Sequence, residues 1–223
     1  MSSENSANLI GRIKEKLIES KENWAREGRL LTGKEADPRQ ERLPPGQRRV
    51  ENWPVLDLGI QPDIGAQTFR LDIDGAVANP LSLSYEDLMA LPQHESVSDI
   101  HCVTQWSRYD NHWQGVAART LLDLVRPRSD ARHVIFHSYD GYTTNIRLDQ
   151  FAEPEVLLAH SWEGRPLERA HGGPLRVVVP RLYFWKSAKW IRRIELTSVD
   201  RPGFWEVRGY HNNADPWREE RYG

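Results

Sequence analysis

Apolar and polar positions recur in two different rhythms along the chain. Near its start, Leu9, Ile10, Ile13, Leu17 and Ile18 repeat at near-helical spacing among charged residues. The spacing predicts one amphipathic helix over about the first 25 residues, suited to a docking arm. Residues 33–50, GKEADPRQERLPPGQRRV, nearly lack apolar side chains and carry Pro38, Pro44 and Pro45, which reads as a linker or surface crossing. After Arg49 the texture changes to short alternating runs broken by turn residues. TFRLDIDGAV contains the hairpin signal Asp74-Gly75, and ARHVIFHS and YTTNIRL flank a second at Asp140-Gly141. EVLLAH, PLRVVVP and WIRRIELTS predict further strands, and ESVSDIHCV alternates into Cys102. Two short helices are expected, one capped by Ser84 with Asp87 and stopping before Pro92, the other along VAARTLLDLV before Pro127. Strands dominate without regular strand–helix alternation, so the expected class is α+β with a mixed β-sheet and an N-terminal helical arm.

With 223 residues, 39% hydrophobic and 28% charged, the chain can enclose one sizeable core. The expected division is 1–50 for helix and linker and 51–223 for one folded domain. A net charge of −2 gives no global attraction for nucleic acid or an anionic membrane. No run approaches the ~20 apolar residues of a membrane span, and the polar start MSSENSAN lacks the order of a secretion signal; a soluble cytoplasmic protein is expected. Cys102 is the only cysteine, which excludes an intrachain disulfide and multi-cysteine zinc or iron–sulfur sites.

Candidate chemistry concentrates in a few places. Cys102 ends an alternating run, beside His101 and before the polar, aromatic TQWSRYDNHW. Such a thiol is an inert buried side chain, a soft metal ligand or a histidine-activated nucleophile, and spacing does not choose among them. His133 and His137 have a ligand-like interval, but on a strand they stand ~13 Å apart, too far for one zinc ion. Between Arg165 and Arg193, eight Lys and Arg residues stand against Glu168 alone. Within this basic segment His171-Gly172-Gly173-Pro174 predicts a tight turn whose backbone can approach a ligand, and WKSAK adds a hydroxyl, amides and two ammonium groups. Together these suit a phosphate; the alternative is a solvated basic face. The chain has nine tryptophans. Trp106, Trp113, Trp185, Trp190, Trp205 and Trp217 lie near these motifs and suit core filling better than base stacking, given the balanced charge. GxGxxG and GxxxxGK[ST] are absent.

As an ordered set, HCVTQWS around Cys102, DGYTTNI around Tyr142, HGGPLRVVVP from His171 and YFWKSAKWIRRIEL from Tyr183 resemble the molybdopterin-binding domain of the sulfite oxidase family. The nearest subgroup is its short cytosolic sulfite oxidase-like oxidoreductases, whose closing GFWEVRGYH and DPWREERY also occur here. The resemblance spans about residues 45–223. It implies a sulfite oxidase-type molybdopterin-binding fold and a Mo-molybdopterin cofactor whose metal is ligated by Cys102. It further implies that Ser138, His171, Arg176, Ser187, Ala188 and Lys189 hold the pterin's phosphate and polar edges, and that Trp53, Leu56 and Asp57 approach the pterin. Tyr142 falls at the family's active-site tyrosine, a donor toward metal or substrate. Two departures bear on substrate: His101 precedes the cysteine where the reductase branch shows arginine, and Arg48-Arg49, followed by ENWPVLDLG, is not a twin-arginine export signal. Neither the haem-binding nor the additional dimerisation domain of full sulfite oxidases is found.

The implied function is a molybdenum oxidoreductase performing oxygen-atom transfer, or two-electron redox, on a small molecule such as sulfite or an S- or N-oxide. Its expected partners are that substrate and an unidentified electron donor or acceptor, with no nucleic acid or membrane. Two alternatives come from other classes: a non-catalytic molybdopterin-binding or carrier module, and a Cys/His hydrolase.

Overall fold

The computed structural model describes residues 42–57, 59 and 61–223; the helix expected over about the first 25 residues lies outside them. Leu43–Gly223 forms one compact unit. Its first strand is β1, Arg48–Arg49. It is followed by β2 (Arg70–Gly75), β3 (Leu81–Ser84), α1 (Tyr85–Ala90), β4 (His94–Cys102), β5 (Trp106–Ala117) and α2 (Ala118–Val125). Then come β6 (His133–Ser138), β7 (Thr143–Arg147), α3 (Leu148–Phe151), β8 (Leu157–Trp162), β9 (Arg165–Pro166), β10 (Arg176–Val178) and β11 (Ile191–Thr197).

The strands form two mixed sheets rather than one, and the α+β class holds. In the first, β5 pairs parallel with β1 and antiparallel with β4 and β8, and β8 pairs onward with β9 and β10. The second runs β3-β2-β11-β6-β7, parallel only between β2 and β11. Local chemistry explains the elements. Leu71 and Ile73 of β2 are buried while Arg70 and Asp72 face out, the two-residue period of a half-buried strand. Ser84 Oγ accepts from the Asp87 amide at 3.1 Å and the Asp87 carboxylate accepts from the Ser84 amide at 2.9 Å, starting α1 with a capping box. Gly141, at φ +85°, turns β6 into β7 at the expected place. The long strand β5 escapes a pattern reading because Asp110, at φ +53°, and a register shift opposite Ser98–Ile100 interrupt its alternation.

Two apolar clusters fill the unit. The larger includes Phe69, Leu71, Phe136, Leu158, Val177 and Ile194. The smaller gathers Trp53, Ile100, Cys102, Trp106, Trp113 and Leu167, and three of these also line the main cavity. His133 and His137 lie on β6 as sheet-face residues, His137 Nε2 3.1 Å from Glu195 and His133 Nδ1 3.5 Å from Asp200. Among the described residues no three His, Cys, Asp or Glu side chains converge as a metal site, and no helix is long and apolar enough to cross a membrane.

Gly115 marks where β5 shifts register against β8. A Cβ there would lie 2.0 Å from the Leu158 carbonyl oxygen, and backbone cannot step aside cheaply. Gly115→Ala is expected to destabilise the fold by about 1–3 kcal/mol, lowering the thermal midpoint by roughly 3–10 °C in calorimetry. An unchanged midpoint would show that the sheet relaxes freely at this shift.

Candidate active site

Cys102 closes β4 and begins a tight turn into β5. Its carbonyl accepts from the Gln105 amide at 3.1 Å and from Gln47 Nε2 at 3.0 Å. The next carbonyl, Val103, accepts from Arg221 Nη1 at 2.8 Å, and Arg221 Nη2 donates to the Pro45 carbonyl at 3.1 Å. Segments from both sides of the chain thus hold the cysteine turn. The thiol is buried, 3.2 Å from Thr104 Oγ1, and burial pushes its pKa up. His101 bonds through Nδ1 to Ser107 Oγ at 2.8 Å and packs edge-on against Trp217. Adjacent strand residues point to opposite faces, so His101, bonded to Ser107 and packed on Trp217, faces away from the thiol.

A cavity of about 330 Å³ opens beside Cys102. One side is cationic. Arg176 is buried, its guanidinium donating to the carbonyls of His171 at 2.7 Å and Ser187 at 2.8 Å and lying 4.1 Å from the Phe184 ring centre. Lys189 Nζ donates to Leu56 O at 2.8 Å and Ala170 O at 3.1 Å. Burial lowers Arg176 to about 9; burial and then the Arg176 charge lower Lys189 to about 8. The Gly172-Gly173 turn permits this crowding. A Cβ on Gly172, at φ +108°, would sit 3.0 Å from Lys189 Cβ and 3.2 Å from Arg176 Cβ, and one on Gly173 would be 2.0 Å from the Leu167 carbonyl. His171 stacks on Trp53 at 4.0 Å and donates from Nε2 to the Trp53 carbonyl at 3.2 Å, leaving a buried Nδ1 without a hydrogen bond. Asp57 accepts from the Gly59 amide and from Gln61, which hold its carboxyl below the usual range.

The other side is aromatic. Trp205 stacks on Tyr210 at 4.9 Å, and Trp185 meets the Tyr210 ring edge-on at 5.0 Å. Tyr142 donates its hydroxyl to the Trp185 carbonyl at 2.7 Å, and burial followed by the Glu206 charge holds its phenol protonated far above the usual range. Asp140, whose carboxylate accepts from the Tyr142 amide at 3.0 Å, adjoins this side.

Nearly all residues singled out in the sequence converge here: Trp53, Leu56, Asp57, Cys102, Tyr142, His171, Arg176, Ser187, Ala188 and Lys189 line the cavity. Ser138 does not. Its amide donates to the Tyr142 carbonyl at 2.9 Å, so it shapes the turn behind the cavity, and its buried hydroxyl has no partner. Ser187 Oγ accepts from the Val179 amide at 3.0 Å. The sequence reading missed Asp140, Phe184 and Tyr210, and assigned Trp185 and Trp205 to core filling; all five line the cavity, while Trp106 both fills the smaller core cluster, as expected, and borders it. The excess of tryptophan was the available signal.

A buried Arg176 and a half-buried Lys189, neither in a carboxylate ion pair among the described residues, together with a glycine turn and a His171 Nδ1 that makes no hydrogen bond and lies 3.6 Å from Glu168, suit a ligand with an anionic end and polar edges. A soft sulfur donor lining the same cavity suits a metal. This is the architecture of a molybdopterin-dependent oxidoreductase. The chain belongs to the oxidoreductase molybdopterin binding domain family, which matches residues 58–205, and members of that family carry a Mo-molybdopterin cofactor. The sulfite oxidase-family resemblance therefore holds, and the reading as a non-catalytic carrier falls. The chain is 47% identical over 182 residues to the uncharacterized oxidoreductase YuiH of Bacillus subtilis, covering 81% of this chain and 92% of that protein. It is 29% identical over 181 residues to the protein-methionine-sulfoxide reductase catalytic subunit MsrP of Campylobacter jejuni, covering 71% of this chain but 61% of that one. In fold it resembles the sulfane dehydrogenase SoxCD from Paracoccus pantotrophus, with a TM-score of 0.60 at 20% identity, covering 70% of this chain and 46% of that one.

The cationic side gives a pH-dependent expectation. Lys189 carries its charge below about 8 and loses it above, so anion affinity is present at neutral pH and lost as pH rises. Inorganic phosphate binding to the apoprotein, followed by calorimetry, is expected to weaken roughly tenfold per pH unit above that point. Lys189→Ala is expected to bind more weakly and to flatten the dependence; an unchanged slope in that variant would remove Lys189 from the anion site.

Proposed function

We propose that the enzyme removes the oxygen atom from a small uncharged organic S-oxide, with N-oxides as the neighbouring class, using electrons from an external donor. In this reading Cys102 ligates the metal. Arg176, Lys189 and His171 hold the cofactor's phosphate and polar edges, with Ser187 and Ala188 contributing backbone groups, while Trp53, Leu56 and Asp57 flank the pterin. Ser138 acts indirectly, through the turn that presents Tyr142. The molybdenum centre, when bound, supplies the two-electron oxygen-atom exchange.

The observation that carries the choice of substrate is the division of charge in the cavity. Its cations, Arg176 and Lys189, sit with His171 and Trp53, and Arg221 is committed to two backbone carbonyls. Tyr142, Trp185, Trp205 and Tyr210 offer rings, and Asp140, bonded to the Tyr142 amide and in electrostatic contact with Lys189, offsets positive charge on their side. Sulfite is an anion and finds no cation there, whereas a neutral oxide with apolar substituents gains burial against the rings. The aromatic wall excludes water, and Tyr142, protonated and tethered to the Trp185 carbonyl, presents its oxygen and ring edge as a fixed surface. Several relatives are protein-methionine-sulfoxide reductase subunits, whose substrate is itself an organic S-oxide, which supports this class. The overall reaction consumes two electrons and two protons, converting R₂SO to R₂S and water.

With a reduced viologen dye as donor, the molybdenum-loaded protein is expected to turn over a dialkyl sulfoxide with a kcat/KM well above that for sulfite oxidation with ferricyanide as acceptor. A preference for sulfite would overturn the substrate class. Cys102→Ser is expected to drop turnover to background, since a hydroxyl is a poor soft donor, with the thermal midpoint within about 4 °C of the parent. Full turnover by the folded serine variant would refute ligation by Cys102.

A further inference from the structure

Glu206 begins a 3-10 turn, Glu206–Arg208, one residue beyond the family-matched segment. Its side chain is 2% exposed, yet it carries a charge. One oxygen, Oε1, receives three donors: Lys186 Nζ at 2.6 Å, Thr144 Oγ1 at 2.8 Å and Trp185 Nε1 at 2.9 Å. Lys186 is itself fully buried and gives its remaining donors to the Asn145 carbonyl at 2.8 Å and side-chain oxygen at 3.1 Å. The other oxygen, Oε2, has no hydrogen-bond partner. A buried ion pair with an unsatisfied oxygen is a poor way to gain stability, since apolar residues of similar volume commonly serve as well.

What the carboxylate touches gives it another use. Trp185 lines the cavity, and its indole N–H ends on Glu206. Thr144 lies two residues after Tyr142, whose hydroxyl ends on the Trp185 carbonyl. Trp205 directly precedes Glu206, and Tyr210 stacks on Trp205 and meets Trp185 edge-on. The four aromatic residues assigned to the substrate side are thus tied to one atom by hydrogen bonds, chain connection or ring contact. We propose that Glu206 Oε1 is the positioning group of the substrate side, fixing the Trp185 indole and, through it and Thr144, the orientation of Tyr142. Lys186 keeps that oxygen in place and balances its charge. The inference rests on the aromatic side being where the oxide binds, as argued above.

Two double variants separate positioning from charge and stability. Glu206→Gln with Lys186→Met removes both charges but keeps a side-chain oxygen for Trp185 and Thr144. Glu206→Leu with Lys186→Met removes the charges and the acceptor. Both are expected to fold, with equal molybdenum and pterin content. In the apoprotein, the Trp185 indole N–H resonance, assigned with Trp185→Phe, is expected to stay protected from solvent exchange in the glutamine pair. In the leucine pair it is expected to lose protection at least tenfold. In the loaded enzyme the leucine pair is expected to raise KM for the sulfoxide at least tenfold with a smaller change in kcat, and the glutamine pair to recover most of the loss. Equal indole protection in the two pairs would overturn the positioning role even if the sulfoxide proves not to be a substrate. Absence of sulfoxide turnover by the parent would instead overturn the proposed reaction. Should the leucine pair fail to fold, the single variant Thr144→Val and the glutamine pair carry the comparison: Thr144→Val is expected to raise KM, and no change in either KM or indole protection would count against the proposal.

Discussion

Removing a guanidinium from water costs several kcal/mol unless something in the interior replaces its hydration, and Arg176 meets that demand with carbonyls and aromatic faces rather than a carboxylate. Much of the cavity follows. To reach those carbonyls, the turn at His171 and the segment at Ser187 must be drawn onto β10 together. Lys189 does the same for Leu56 and Ala170, pulling the loop after Trp53 against the same wall. The two cations come this close because Gly172 and Gly173 present no Cβ. The site is therefore an electrostatic arrangement that a bound anion would complete, and its rigidity comes from backbone oxygens shared among three distant segments.

Lys186 supplies the contrast. It is as deeply buried as Arg176 but carries its own counter-charge, Glu206. Both environments meet at one short 3-10 turn, Phe184–Lys186, in which successive side chains project about 120° apart. Phe184 covers the Arg176 guanidinium, Trp185 enters the aromatic wall, and Lys186 goes to the carboxylate behind it. One tight turn thus separates the cation-lined half of the pocket from the ring-lined half.

The fold and much of the site were legible in the sequence wherever the determining signal was local. Alternation located β2, β6, β7 and β11, turn residues located the hairpin at Gly141, and the glycine pair after His171 marked a close approach. Where long-range pairing decides, the sequence is silent. β5 carries the polar Ser107, Arg108 and Asn111, which give no strand pattern, and pairing with β1, β4 and β8 is what makes it a strand. Trp185 and Trp205 read as core because an apolar ring gives no sign of whether it faces protein or cavity. Glu206 meets Lys186, Trp185 and Thr144 across separations of 20, 21 and 62 residues, so no spacing rule reaches it. Ser138 belonged to the right neighbourhood, but strand alternation does not say which wall a buried hydroxyl faces.

The cysteine turn has a consequence for the order of assembly. Arg221 joins it across 118 residues to Val103 and across 176 to Pro45. During synthesis the sheets around Cys102 can begin to form while the chain is still emerging, but the last fastener of the turn does not yet exist. The cysteine turn reaches its final shape only after Arg221 has left the ribosome. Until then Gln47 and the Gln105 amide hold the cysteine turn by themselves, without the tie that joins Val103 to Pro45.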